Sequence, residues 1–228
     1  MQEYDKQQIL SHIQPEVIIS TLSPFILGPR KKTIENSLSK RLSSIQLAIE
    51  NPGIIHNALA TLRSCEGLGL SAAHIISEPA ANNLSHNITE GSAEWIQVHY
   101  HKTLNNFLVE QPNVLLIGAA TTAPTSLHEV PVDKPLCIIL GNEQNGLSKE
   151  CLKQVNMTYT IPMHGMIDSF NLSVSAGISL YDITKRRRQY IQRQGDLTPP
   201  QTQWLRAKYY LNSVNARLIN RIFQPYLN

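Results

Sequence analysis

Three segments of the chain carry polar residues of the types that enzymes use, each at a predicted junction between a strand or loop and a helix. These residues are Asn57, Arg63, Glu143, Ser169 and Asn171. Each of them alone has a structural explanation. Asn57, Ser169 and Asn171 suit helix caps, and Arg63 suits a surface ion pair. Only the combination of the three segments therefore indicates a functional site.

Two apolar strands end in glycine, at Gly118 and Gly141. Glycine lets a ligand approach the backbone closely, and ligands of parallel sheets bind at the carboxyl ends of the strands. The glycine loops match neither the G-x-G-x-x-G pattern nor a Walker loop with its lysine. These absences argue against a dinucleotide oxidoreductase and against a P-loop NTPase.

Apolar strands alternate with helices along the middle of the chain. The predicted strands cover 45–49, 74–76, 95–98, 114–118 and 136–141, and the predicted helices cover 56–68, 103–108 and 172–192. This alternation predicts an α/β fold with a parallel sheet that helices cover on both faces. Further helices are expected at both ends. We expect an N-terminal helical, basic extension (1–43), a catalytic domain (44–192) and a C-terminal helical extension (193–228).

The composition is that of an ordinary globular protein, with 42% hydrophobic and 16% charged residues in 228. No apolar run reaches the roughly 18 residues of a membrane span, and no secretory signal is visible at the N-terminus. Cys65, Cys137 and Cys151 form no C-x-x-C pair, so neither a metal site nor a disulfide is expected. We therefore expect a cytoplasmic protein with no membrane partner.

Basic residues are clustered in two places, although the formal net charge is only +3. The first cluster is Arg30, Lys31, Lys32, Lys40 and Arg41, and the second is centred on Arg186, Arg187 and Arg188. Such clusters can neutralise the phosphates of a nucleic acid. A solvated helix face is the alternative for either cluster taken alone.

Taken together, the three segments resemble the motifs of the SpoU branch of the SPOUT methyltransferases, in particular the TrmH-like tRNA guanosine 2'-O-methyltransferases. The family's Asn-to-Arg turn and helix is similar to 56–63, its strand-Gly-x-Glu-x-x-Gly-Leu motif to 140–147, and its Ile-Pro-Met motif to 161–173. The segment 91–95 is also similar to the family. Phe170 stands where the family usually has leucine.

The resemblance implies an α/β fold with a C-terminal deep trefoil knot, here at about 136–185. It implies that S-adenosylmethionine binds in this knot, largely through backbone groups. The candidate cofactor-binding residues are Gly118, Gly141, Ile161, Phe170 and Leu172. The family is homodimeric, so the resemblance also implies active sites that borrow residues from both chains.

The implied reaction is attack of a ribose 2'-oxygen on the methyl group of the cofactor. By resemblance Arg63 is the central residue, either as a general base or as a clamp on an RNA phosphate. A guanidinium has five N–H donors and no acceptor, which favours the clamp. Asn57, Glu143, Ser169 and Asn171 would shape the site. The two basic clusters would grip tRNA, and no metal is required.

Other interpretations are possible at this point. The same chemistry could act on ribosomal RNA or on another tRNA nucleotide, whereas the best-known target of the family is the D-loop guanosine of tRNA. The chain could also be an RNA-binding relative without catalysis, although the presence of all five candidate catalytic residues argues against this. The missing phosphate-loop motifs argue against a third alternative, an unrelated nucleotide-binding α/β protein.

Overall fold

The computed structural model describes residues 6–77 and 94–227, which form two compact units. One unit combines the two ends of the chain, up to Arg41 and from Gly195 onward. The other extends from Leu42 to Gln194. The part of the predicted segment 91–95 that precedes Glu94 lies outside the described residues.

Helices occupy both units. In chain order they are α1 (Lys6–His12), α2 (Pro15–Leu22), α3 (Gly28–Leu38), α4 (Ile55–Gly67), α5 (Leu104–Val109), α6 (Lys149–Gln154), α7 (Leu172–Ile191), α8 (Pro199–Ser213) and α9 (Ala216–Leu227). Short 3-10 turns cover Ser23–Phe25 and Leu127–Glu129. Several helices begin at the side-chain caps that their sequences predict. Thr198 and Gln201 form a reciprocal capping box at α8, and Asn171 caps α7.

A parallel sheet is the centre of the unit from Leu42 to Gln194, and seven of its strands lie in the described residues. The strands are β1 (Ile45–Glu50), β2 (Ala72–Ile76), β3 (Gln97–His101), β4 (Leu115–Ala119), β5 (Thr125–Ser126), β6 (Leu136–Leu140) and β7 (Met157–Thr160). They lie in the order β3-β2-β1-β6-β4-β7-β5, and every pair is parallel. The predicted α/β class and parallel sheet are confirmed.

The central strands of the sheet, such as β6, are buried on both faces, which explains why they are continuously apolar. Odd-numbered β1 residues such as Leu47 join the cluster that contains α4 and α7 residues, including Leu62 and Leu180. Ala48 joins a second cluster with Phe107 of α5 and Cys151 of α6. Because successive side chains of a strand point to opposite faces, a single apolar strand supplies both cores.

In the terminal unit, α8 is the helix against which α1, α2 and α3 pack. Ile18 and Leu22 of α2 and Tyr209 of α8 are buried there. The guanidinium of Arg206 donates to both oxygens of Glu35, over 2.6 and 2.7 Å. Such a bidentate pair adds geometric specificity to the apolar packing of α3 on α8.

No helix in the part of the chain that the structure describes combines the length and apolar character needed to cross a membrane. The same residues contain no group of three or more His, Cys, Asp or Glu side chains placed to hold a metal ion. The cysteines Cys65, Cys137 and Cys151 are free thiols and are buried.

Replacing Tyr159 by phenylalanine tests the junction between β7 and α7. The Tyr159 hydroxyl donates to Ser179 Oγ over 2.6 Å, and both side chains are buried. We expect Tyr159→Phe to lower the free energy of unfolding by about 1–2 kcal/mol, because a buried hydroxyl loses its partner. Urea denaturation measures this change.

The matched control is Tyr190→Phe, which alters a tyrosine of α7 that is 60% exposed. That change should stay within about 0.5 kcal/mol, as surface substitutions usually do. Equal effects of the two variants would mean that the buried hydrogen bond contributes nothing.

Candidate functional site

The candidate site lies at the carboxyl edge of the sheet, where the chain changes winding direction. From β1 the chain moves outward to β2 and β3, whereas β6 flanks β1 on its other side. The loops that follow β1 and β6 therefore diverge from neighbouring strand ends, the usual place for a ligand crevice in such sheets. Glu143 lies in the loop after β6, and Asn57 lies in the first turn of α4, directly after the β1 loop.

Glu143 connects these two loops. Its Oε1 accepts a hydrogen bond from Asn57 Nδ2 over 2.8 Å. Its Oε2 accepts one from the backbone N–H of Gly53, also over 2.8 Å. The carboxylate thus holds both the turn after β1 and the first turn of α4.

The network continues from Asn57 to the start of α7. Asn171 Nδ2 donates to Asn57 Oδ1 over 3.0 Å, while Asn171 Oδ1 accepts from the backbone N–H and the hydroxyl of Ser173. Three of the five predicted catalytic residues, Glu143, Asn57 and Asn171, are therefore joined in one chain of hydrogen bonds. They come from segments 86 and 114 positions apart in sequence.

Hydrogen bonds lower the pKa of Glu143. Desolvation raises the pKa of its carboxyl, but donors from Asn57 and from the backbone of Glu143, Gly53 and Ile54 outweigh that effect. The net result is a pKa below its ordinary value of 4.5. Glu143 is therefore an anion at neutral pH that accepts from protein donors on both oxygens. This arrangement suits a positioning role better than that of a general base.

The loop that carries Glu143 closes on itself tightly. The backbones of Asn142 and Gly146 exchange two hydrogen bonds, over 2.9 and 2.8 Å. A Cβ at Gly141 would lie 2.1 Å from the carbonyl carbon of Gly146, and Gly146 has a positive φ of 66°. Both positions therefore require glycine, because a side chain would collide at the first and be strained at the second.

Arg63 lies further along α4 than Asn57, by about 9 Å at 1.5 Å per helical residue. Its side chain is exposed, and no hydrogen bond or ion pair joins it to the residues that the structure describes. Ser169 is exposed as well and has no described partner. The structure thus leaves one cation and one hydroxyl available to a ligand, outside the network of Glu143.

The predicted cofactor residues Ile161, Phe170 and Leu172 follow β7 at the same edge of the sheet. Ile161 is half-buried against the core, Leu172 is buried, and Phe170 is 36% exposed. Between them, Met166 and Ile167 are highly exposed. The described hydrogen bonds include none from the backbone N–H groups of residues 163–170. Apolar side chains thus lie beside backbone groups that a ligand can bind.

The two predicted cofactor glycines have roles in packing. A Cβ at Gly118 would lie 2.7 Å from Leu147 Cδ1, so the space beside this residue is filled by leucine. Gly141 is needed for the closed loop that carries Glu143. Their contact with a cofactor stays a prediction. At Gly141 the reason for glycine is steric, because an added Cβ would collide with the backbone of Gly146.

The N-terminal basic cluster divides into exposed and buried members. Arg30, Lys32 and Lys40 are exposed, and Arg30 donates to Ser213 Oγ over 3.0 Å. Lys31 is half-buried and donates to Ser23 Oγ. Arg41 is 2% exposed, with its guanidinium 5.7 Å from the Tyr209 ring centroid. The structure therefore argues against Arg41 as a phosphate ligand, whereas RNA contact by the other four stays a prediction.

The second basic cluster is directed into the protein. Arg186 donates to the carbonyls of Val130 and Leu127, over 2.6 and 3.0 Å. Arg187 is 8% exposed and donates to Ser44 Oγ and to the Val132 carbonyl. Arg188 donates to the carbonyls of Gln194 and Leu68. Groups inside the protein, including Asp182 for Arg186, thus accept from many of their N–H groups, and contact of these three arginines with RNA stays a prediction.

Sequence reasoning missed the contribution of Asn142 and Gly53. Asn142 Nδ2 donates to the carbonyl of Asn51 over 2.8 Å, and its Oδ1 accepts from the N–H groups of Gln144 and Asn145. A signal was available for Gly53, which follows proline in a turn directly after a buried strand. Nothing in the sequence indicated that this turn faces Glu143.

Comparison with known proteins identifies the family that this chain resembles. Residues 44–181 match the model of the SpoU rRNA Methylase family. A tRNA (guanosine(18)-2'-O)-methyltransferase of Borreliella burgdorferi is 31% identical over 200 residues, which cover 84% of this chain and 89% of that protein. All three candidate segments lie inside residues 44–181, the range that matches the family model.

Solved structures share the fold. The A. aeolicus TrmH/SpoU tRNA modifying enzyme superposes with a TM-score of 0.70 and 24% identity, over 87% of this chain and 99% of that one. The SpoU methyltransferase AviRb from Streptomyces viridochromogenes, in complex with AdoMet, has a TM-score of 0.55 and 19% identity, over 66% and 62% of the two chains.

The ionised state of Glu143 makes the stability of the site depend on pH. The pKa of Glu143 is depressed in the folded protein, so its ionisation stabilises the fold above the ordinary pKa of 4.5. This contribution is lost as the pH falls through the pKa of the folded state. The stability difference between wild type and Glu143→Gln should therefore be largest at neutral pH and shrink on acidification.

Urea denaturation of both proteins from neutral pH down to about pH 3 measures the difference. The control is Glu150→Gln, which changes an exposed glutamate of α6 for which no side-chain hydrogen bond is described. A difference between wild type and Glu143→Gln that does not vary with pH would contradict the assignment of Glu143 as a hydrogen-bonded anion.

Proposed function

The chain belongs to the SpoU rRNA Methylase family, and we propose that it transfers a methyl group from S-adenosylmethionine to a ribose 2'-oxygen of tRNA. The observation that carries this proposal is the network of Glu143, Asn57 and Asn171 at the carboxyl edge of the sheet. It joins the three segments that resemble the family's motifs. The named relative from Borreliella burgdorferi acts on guanosine 18 of tRNA, and we propose the same D-loop guanosine here.

The segment after β7 suits S-adenosylmethionine. The exposed side chains of Met166, Ile167 and Phe170 offer an apolar surface for an adenine ring, and the N–H groups of residues 163–170 offer donors to its nitrogens and to the carboxylate of the methionyl part. We propose that Gly118, Gly141, Ile161, Phe170 and Leu172 contribute to this pocket. The AdoMet complex of AviRb, which shares the fold, is consistent with the proposal.

When bound, S-adenosylmethionine supplies a methyl group that is already activated by a positively charged sulfur. The main task of the protein is then to align the ribose hydroxyl with this methyl group. Asn57 and Asn171 are held by Glu143 and by the start of α7, and each keeps one amide N–H without a described partner. These N–H groups can donate to ribose oxygens, including the 2'-oxygen as it becomes negative.

Arg63 provides a positive charge that can act on the RNA. Its guanidinium is exposed and has no described partner, so its N–H groups are available to an RNA phosphate or to the developing 2'-oxyanion. Ser169 Oγ is exposed as well, and as a hydroxyl it can donate or accept. We propose that Arg63 acts as a clamp, since guanidinium has donors only.

We also propose a deep trefoil knot at about 136–185, a homodimer, and action in the cytoplasm. The exposed apolar residues Val174 and Tyr181 of α7 support a protein partner for that helix. We also propose that residues 1–43 and 193–228 are RNA-binding extensions of a catalytic domain, 44–192. Arg30, Lys32 and Lys40 are the exposed cations that would contact tRNA.

Ribosomal RNA is the second candidate substrate, because the family model is named for rRNA methylation. The two candidates predict the same site chemistry and differ only in the RNA that is modified. The coverage of the tRNA enzyme from Borreliella burgdorferi, which includes most of both chains, favours tRNA.

Replacing Arg63 by alanine tests the proposed reaction. We expect wild type to transfer radiolabel from S-adenosylmethionine to a D-loop guanosine ribose of unmodified tRNA, and Arg63→Ala to reduce kcat/KM by at least about a hundredfold, because a charge that stabilises the transition state is lost. Arg63→Lys should recover only part of the rate, since lysine keeps the charge without the fork.

The control is Lys153→Ala, an exposed cation in the last turn of α6. It should leave the rate unchanged. Label on rRNA instead of tRNA would keep the chemistry and change the substrate, whereas label on no RNA would contradict the proposed function.

The proposed homodimer predicts complementation between two inactive variants. If Arg63 of one chain serves the site that contains Asn171 of the other, mixing Arg63→Ala with Asn171→Ala creates one intact site in each mixed dimer. After full subunit exchange, about a quarter of wild-type activity should return. No recovery of methyl transfer, in a mixture whose exchange is verified by mass spectrometry, would contradict a site shared in this way.

A further inference from the structure

The turn that follows β1 contributes two backbone groups to the contact with the loop after β6. We call residues 51–54 the β1 turn. Its residues are mostly exposed, yet it is tied to the loop after β6 at two points. The N–H of Gly53 donates to Glu143 Oε2, and the carbonyl of Asn51 accepts from Asn142 Nδ2, each over 2.8 Å. An exposed turn with two such bonds across 90 or more sequence positions is held in a defined place.

The conformation of the β1 turn is set at its first residue. Asn51 has a φ of 48°, in the left-handed region that asparagine tolerates better than most residues. Its N–H donates to the Ile76 carbonyl over 2.8 Å. The turn therefore leaves the sheet in a direction that brings the N–H of Gly53 to the Glu143 carboxylate.

Asn142 holds both sides of this contact. Its Oδ1 accepts from the N–H groups of Gln144 and Asn145, which shapes its own loop, while its Nδ2 reaches the β1 turn. The partners of Asn142 fix the orientation of its amide. The N–H groups of Gln144 and Asn145 need an acceptor, so they face Oδ1, and the Asn51 carbonyl needs a donor, so it faces Nδ2. One side chain thus sets the distance between the two loops.

The space at Gly53 is closed. A Cβ there would lie 3.0 Å from Asn142 Nδ2 and 3.1 Å from Glu143 Oε2. Both of these atoms are fixed by hydrogen bonds, so a methyl group can be accommodated only if the Glu143 carboxylate or the Asn142 amide moves by a few tenths of an ångström. Glycine at this position is therefore linked to the placement of Glu143.

We propose that Gly53 and Asn142 are positioning residues for methyl transfer, which place the Glu143 carboxylate so that it orients the Asn57 amide. The carboxylate only accepts, so it requires the Nδ2 side of Asn57, and this leaves Oδ1 to accept from Asn171. Displacement of Glu143 frees the Asn57 amide to rotate and disturbs both amides at the site. The inference rests on the proposed function for its effect on rate, but not for its effect on Asn57.

Two variants test this inference with steady-state kinetics. Gly53→Ala adds the methyl group beside Glu143, and Asn142→Asp keeps an acceptor for Gln144 and Asn145 while it removes the donor to Asn51. We expect each to lower kcat by about ten- to a hundredfold, because small misplacements of catalytic groups are costly. The KM for tRNA and the Kd for S-adenosylmethionine, measured by calorimetry, should stay within about twofold, because neither residue is proposed to bind them.

The control for the added methyl group is Gly67→Ala, in the same unit, where nothing lies within 4 Å of the added Cβ. Its kcat and its Tm should equal those of wild type or exceed them slightly. A double-mutant cycle adds a second control. Glu143→Gln should cost much less in the Gly53→Ala background than in wild type, because both changes act on the same hydrogen bonds.

A readout independent of activity follows Asn57 directly. In protein labelled with 15N-asparagine, the side-chain NH2 signals of Asn57, assigned with Asn57→Asp, should shift or broaden in Gly53→Ala and Asn142→Asp but not in Gly67→Ala. Unmoved Asn57 signals, an unchanged kcat, or additive losses in the double-mutant cycle would each overturn the inference. If wild type methylates no RNA, the proposed function fails, and the Asn57 signals alone decide whether Gly53 and Asn142 hold this amide.

Discussion

The carboxylate of Glu143 is the interaction on which the rest of the site depends. It is the point where the turn after β1, the start of α4 and the loop after β6 meet. An ionised carboxylate presents acceptors only, so every group around it has to present a donor. Because the carboxylate needs donors, Asn57 turns its Nδ2 toward Glu143. Its Oδ1 then accepts from Asn171 at the start of α7 and so orients that amide as well. A glutamine at position 143 would present one oxygen and one NH2 group, so its amide nitrogen could not accept from either N–H group.

The same logic of donors and acceptors explains the arginines of α7. A loop between β5 and β6 has carbonyl groups at Leu127, Val130 and Val132 that lie outside regular strands. Unpaired buried carbonyls are costly, and an arginine can satisfy several of them at once. Arg186 and Arg187 therefore act as donors that complete the fold. In the sequence, the positive charge of these arginines indicates phosphate binding. In the structure, their N–H groups donate to carbonyls of the protein.

Much of the fold follows from local patterns. The apolar strands from Leu136 to Leu140 and from Leu115 to Ala119 can be recognised because strands buried on both faces leave no polar alternation. The helix caps at Asn171 and Thr198 are equally local, since a cap bonds only to its own first turn. The short strand Thr125–Ser126 was missed because two residues carry no periodicity. The buried state of Arg41 was missed because exposure depends on what packs above a residue.

By itself, the sequence determined the α/β class, the family, and three polar residues that the structure joins in one network, Asn57, Glu143 and Asn171. These properties depend on residue type and on spacing within short segments. Only the tertiary structure decided which of those residues meet. Glu143 and Gly53 are 90 positions apart, and their contact exists because β1 and β6 are neighbours in the sheet. The order of strands in a sheet follows from packing of the whole chain, so no local pattern could have placed the β1 turn beside the Glu143 carboxylate.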